Sequence, residues 1–187
     1  AGGLDLQTPK NEFQQIFFDF TTEAKKLETA TAEATEKIGP VWFDSLSEMR
    51  DRERLMSLRI NLLRYGVIRR SYYDKSDSLL KTYRGLLGYS DRFPGRLEGL
   101  QKAELEKLEE RCVADLKEFY DFVLQHHGVI EFADDQVYLE DDELVSKFNK
   151  LLDTAVESQS DWADFEEKNA TTQLSKLEKL KKGVLMR

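Results

Sequence analysis

The residues best suited to chemistry lie in one stretch, Gln125 to Phe148, which reads QHHGVIEFADDQVYLEDDELVSKF. It holds the chain's 2 histidines, and seven carboxylates follow between Glu131 and Glu143. Imidazoles near carboxylates are zinc or iron ligands, and clustered carboxylates are calcium ligands. The spacing fits neither metal well. Neighbouring helical residues point roughly 100° apart, so His126 and His127 do not converge on one ion if they are helical. A di-iron bundle uses Glu-x-x-His, but the places three and four before the histidines hold Phe122, Val123 and Leu124. An EF-hand loop needs a central glycine, and Ala133 to Glu143 has none. The simpler reading is a helix end at His126-His127-Gly128, a hairpin and a helix start. VIEF and QVYL are β-favouring tetrads around Ala133-Asp134-Asp135.

Other nucleophilic and phosphate-binding patterns are missing. No Gly-x-Ser-x-Gly elbow occurs, and GLLGYSDRFPG has neither a preceding strand nor a following Lys-Ser/Thr. Cys112, the single cysteine, falls on a helical seam without a histidine near it in sequence. No enzyme, no cofactor and no resident metal are expected from these residues.

Four long helical patterns must position whatever site exists. The first opens at Thr8-Pro9, an N-cap and first helical position. It repeats at Phe13, Phe17, Phe20, Ala24, Leu27, Thr31, Ala34 and Ile38 until Gly39-Pro40 stops it. The second is predicted from about Val41 to Tyr89, with a kink or break near YDKSDS. Its seam is Trp42, Leu46, Met49, Glu53, Met56, Ile60, Leu63 and Val67, and YSDRFPG ends it. The third runs from about Arg96 to His127 through Gln101, Leu105, Leu108, Cys112, Asp115 or Leu116, Phe119, Val123 and His126. Asp141 or Asp142 caps the fourth. That seam is Leu144, Phe148, Leu151, Ala155, Ser158, Trp162, Phe165, Asn169, Thr172, Leu177 and Leu180, closed by KLKKG. The spacing predicts an all-α fold: an elongated antiparallel four-helix bundle in a single domain, 1–187. A β-hairpin insert at about 129–140 separates the third and fourth helices. Polar seam residues such as Glu53, Ser158 and Asn169 are expected to set register or to line a cavity.

Charge is uneven along this bundle. The chain carries a net charge of −8, which disfavours nucleic-acid binding by the whole surface. Yet Arg50 to Lys75 is net +5 and Glu131 to Glu167 is net −11. The plain reading is complementary pairing of helices. The functional reading is an interaction patch at Arg50, Arg54, Arg64, Arg69 and Arg70. No apolar run approaches the roughly 18 residues of a membrane helix.

The FFDF stretch, the Gly39-Pro40 break and the run FYDFVLQHHG, VIEFADDQVYL and VSKFNKLL resemble a family of uncharacterised small lipoproteins from Gram-negative bacteria. The resemblance covers mainly residues 119–152. It implies a periplasmic or membrane-anchored protein whose acylated anchor lies outside this chain, with no activity and no catalytic residues to carry over; a cytoplasmic location is the alternative. The leading expectation is a non-enzymatic interaction or structural module with an unidentified protein partner, and one spare apolar stripe suffices for oligomers. Two alternatives stay open. One is a metal- or small-ligand-binding bundle using Glu53, His126 or His127 and nearby acids. The other is anionic lipid or nucleic-acid binding through residues 50–70.

Overall fold

The computed structural model describes residues 12–87, 95–133 and 136–184, with side chains described except at 13, 87, 95–101 and 169–184. It is mostly helical. Four helices appear in order: α1 (Glu12–Glu36), α2 (Arg52–Leu87), α3 (Gly95–Gln125) and α4 (Asp142–Val184). A single 3-10 turn (Leu46–Arg50) precedes α2, and strands β1 (Glu131–Ala133) and β2 (Gln136–Tyr138) lie between α3 and α4. The hairpin is antiparallel, pairing Glu131 with Tyr138, Phe132 with Val137 and Ala133 with Gln136. The expected Thr8-Pro9 start, the YSDRFPG turn at Pro94, the seam at Phe13, Gln101 and beyond Phe165, and the KLKKG closure fall outside the described residues or side chains.

The chain divides into two compact units. One comprises Ala1–Val41 with Ile60–Glu98, and the other Trp42–Arg59 with Gly99–Arg187. In the first, two contacts tie α1 and the turn after it to the later part of α2. Phe20 meets Tyr83 edge-on at 5.4 Å, and Asn61 Nδ2 donates to the Pro40 carbonyl at 2.9 Å. Gly39 takes φ +88° just beyond α1, a left-handed conformation that favours glycine and turns the chain toward α2. Thr31 is buried on α1, and its hydroxyl donates to the Leu27 carbonyl at 2.8 Å, so burial leaves it satisfied.

The second unit holds an aromatic core. Phe119 of α3 packs against Phe148 of α4 at 5.3 Å and against Phe43 of the segment before α2 at 5.9 Å. Tyr120, Phe122, Val123, Cys112 and Leu116 are buried with them, which matches the expected α3 seam with Phe122 and Tyr120 added. On α4, Phe148, Ala155 and Ser158 are buried as the seam requires. Asp141 is the cap of α4: its Oδ1 accepts from the backbone N–H of Glu143 at 2.8 Å and of Leu144 at 3.1 Å.

Helix α2 departs from expectation in three ways. It begins at Arg52, not Val41, because two local starts compete before it. Ser45-Leu46-Ser47-Glu48 has capping-box spacing, and Glu48 Oε1 accepts from the backbone N–H of Asp44 at 2.7 Å, closing a separate 3-10 turn. Asp51 then caps α2, its Oδ1 accepting from the N–H of Glu53 at 2.9 Å. The helix also continues unbroken through YDKSDS, where Ser78 returns its hydroxyl to the Asp74 carbonyl at 3.0 Å. Finally, the buried face is Leu55, Leu58, Leu62 and Tyr73, whereas Glu53, Met56, Ile60 and Val67 of the expected seam are exposed. Both sets have helical spacing, and they lie on different faces. Gly128 also differs from expectation: α3 ends at Gln125, and among the described glycines only Gly39 has positive φ.

Candidate functional site

His127, just beyond α3, is joined to the turn before α2. The Met49 carbonyl can only accept, so His127 Nε2 carries the hydrogen and donates across 2.9 Å. The His126 ring lies tilted against Phe122, with the ring centres 4.6 Å apart. Arg50 completes the joint, donating from Nε (3.1 Å) and Nη2 (2.6 Å) to the Phe132 carbonyl. A two-stranded ribbon leaves outward carbonyls unpaired, and the guanidinium satisfies this one. Among the described residues no group of three or more His, Cys, Asp or Glu side chains is placed to hold a metal ion. Glu53 lies exposed in the first turn of α2. Asn169 has no described side chain.

A polar cluster links α3 to α4. Ser158 is buried; its hydroxyl contacts Asp115 and also the Thr154 carbonyl at 2.9 Å. Arg111 pairs with Asp161 at 3.1 Å and with Asp115 at 3.5 Å. No imidazole joins Ser158, so the serine has no base of the usual kind. Cys112 lies close by, and burial, with the charges of Asp115 and Glu109, pushes its thiol up to about 11. It is protonated at neutral pH and a poor nucleophile. Register between two helices is the chemistry this cluster supports. Trp162 Nε1, one turn beyond Ser158, is buried and has no acceptor among the described residues.

The five arginines singled out by charge divide between the units. In the second, Arg50 holds β1, and Arg54 binds Glu48 Oε2 through Nε and Nη2, each at 3.1 Å. Their neighbour Arg59 binds Asp121, which also takes Lys117 at 2.6 Å. Burial raises the Asp121 carboxyl, but these two cations outweigh it and hold it below its ordinary value. In the first unit, Arg69 lies over the rings of Tyr72 (5.0 Å) and Tyr73 (5.3 Å) and donates to the Tyr73 hydroxyl at 3.2 Å. Arg70 is exposed and also engaged. Arg64 is exposed and, among the described residues, has no hydrogen bond or ion pair.

Arg64 sits in the apolar stripe that α2 leaves outside. Ile60 is 42% exposed and Val67 70%. At roughly 100° per residue, Arg64 and Val67 fall within about 40° of Ile60, and buried Leu62 falls about 160° away on the opposite side. Periodicity pointed to these apolar residues as core; it gave no sign that they would face outward. Among the described residues no helix is long and apolar enough to cross a membrane. No family model matches the chain. No curated protein and no solved structure matches it either.

Proposed function

We propose that the chain is a non-enzymatic module that works by protein–protein contact, and that the outer face of α2 is its contact surface. The observation that carries this reading is the exposure of Ile60 and Val67 on a helix whose opposite face already fills the core. Single exposed apolar residues are ordinary, but two at heptad spacing, with half-buried Leu63 beside them, form the seam a partner helix needs. The arginines at 50, 54, 59 and 69 serve the fold itself, which favours a protein partner over a broad anionic surface. The resemblance of residues 119–152 to the small lipoproteins makes the bacterial envelope the compartment to search.

The experiment places a photo-crosslinking amino acid at Val67 and, separately, at exposed Glu28 of α1, and irradiates cells. A discrete adduct at 67 and none at 28, removed by Ile60→Lys in the same chain, is the expected result. Identical labelling at both positions would end this assignment.

A further inference from the structure

We infer that the partner docking on this face is an acidic amphipathic helix of another protein. This rests on the contact role proposed for α2 and adds the chemistry of what binds. Arg64 stands between Ile60 and Val67 on the same face, exposed and without an anion among the described residues. A helix laid along the stripe covers Arg64 as it covers the two apolar side chains. A cation covered without a counter-charge is costly, so the complementary surface carries a carboxylate there.

A second copy meets this requirement poorly. Symmetric dimers pair one patch with itself. The midpoint of Ile60 and Val67 lies beside Arg64, so antiparallel α2 helices centred on the stripe oppose Arg64 to its copy. Parallel in-register helices do the same. An anionic membrane also fits poorly. Membrane-surface helices offer a wide apolar face, whereas here the Leu62 and Tyr73 side is buried in the fold and only a narrow stripe remains.

The test uses the full chain and two fluorescent helical peptides with leucine at each a and d position. One carries glutamate at the flanking e and g positions and its twin carries lysine. Binding is read by anisotropy. The acidic peptide should bind at least about tenfold tighter than the basic twin, and Arg64→Glu should reverse that order, since like charges across an interface are strongly unfavourable. Val67→Glu should abolish binding of both peptides while leaving the thermal midpoint unchanged. Equal binding of the two peptides, or none, overturns the inference. Concentration-dependent dimerisation in sedimentation velocity that Val67→Glu removes overturns it in favour of a second copy. Arg64-dependent capture by phosphatidylglycerol vesicles, with no peptide preference, overturns it in favour of a membrane. If the peptides fail but the crosslink at 67 persists, the contact role stands and the acidic helix does not.

Discussion

Leu55 and Met56 are neighbours in sequence and lie on different sides of α2. Leu55 is 0% exposed and Met56 41%. Truncating each to alanine therefore separates the face that α2 buries from the face that heptad spacing assigns to the core. Leu55→Ala removes a fully enclosed side chain and leaves a cavity, which costs about 3 kcal/mol within a usual range of roughly 2–5. Met56→Ala differs on two counts. Complete burial of a methionine is worth about 1.5–3 kcal/mol, and two fifths of this one is already in water. Its site opens to solvent, so no cavity term follows, and alanine returns a few tenths of a kcal/mol in helix propensity. The expected cost is about 1 kcal/mol or less.

Both positions belong to the unit that contains Trp42 and Trp162, so tryptophan fluorescence reports its unfolding directly. With a urea slope of about 2 kcal/mol/M, Leu55→Ala should lower the midpoint by about 1.5 M and Met56→Ala by about 0.5 M or less. In melting temperature the leucine change corresponds to about 6–12 °C for a chain of this size. The two slopes should agree, which confirms that stability and not the unfolded state has moved. A methionine change as costly as the leucine change would refute the buried face described for α2.

Two other predictions concern titrating groups. Native Cys112 should react with Ellman's reagent at pH 8 at least about a hundredfold more slowly than in urea: the rise from 9.0 to about 11 removes roughly that factor of thiolate, and burial slows access further; a native rate like that of a free thiol would contradict the packing of α3. Glu48 is held below its ordinary 4.5, first by the N–H of Asp44, against an opposing effect of burial, and then by Arg54. A carboxyl lowered in the folded state contributes stability that is present above pH 4.5 and is lost as pH falls through the lower folded value. Urea midpoints of wild type and Glu48→Gln should therefore differ above about pH 5 and converge as pH drops toward 3, and a gap that stays constant over that range would show that Glu48 acts by shape alone.

The parts of the fold legible in the sequence are those where one pattern stood alone. Phe119 and Val123 had no competing seam, so there the buried face of α3 could be read directly, and burial of Leu116 decides between it and Asp115. The hairpin was legible because Ile130, Phe132 and Val137 alternate with polar neighbours between a helix end and the Asp141 cap. Helix α2 offers two apolar sets, Leu55-Leu58-Leu62 and Met56-Ile60-Leu63-Val67, with equally good spacing. Periodicity states that a face is apolar but not which of two faces finds a partner. The late start of α2 had a local signal, Ser45-x-x-Glu48 followed by Asp51, that an apolar repeat running across it concealed. The exposed face was visible only as core, because an apolar seam left outside is written in the same residues as a seam already filled.

Net charge along a segment misleads for a related reason. The count from Arg50 to Lys75 treats every guanidinium as surface charge. A guanidinium directed at a carbonyl, a carboxylate or a ring already has its anion or dipole, and it adds little to the field a ligand meets. Arg50 is fixed on Phe132, Arg54 on Glu48, Arg59 on Asp121, and Arg69 on two tyrosines. Discounting them leaves a much weaker and more local positive field, with Arg64 inside an apolar stripe as its distinctive element. Nucleic acid or a lipid surface is gripped by many cations acting together, and affinity then falls steeply with salt. One cation flanked by apolar side chains instead selects a partner that brings a single well-placed carboxylate with its own apolar residues on either side. Arginine placement therefore argues more strongly than arginine number for the kind of partner proposed for α2.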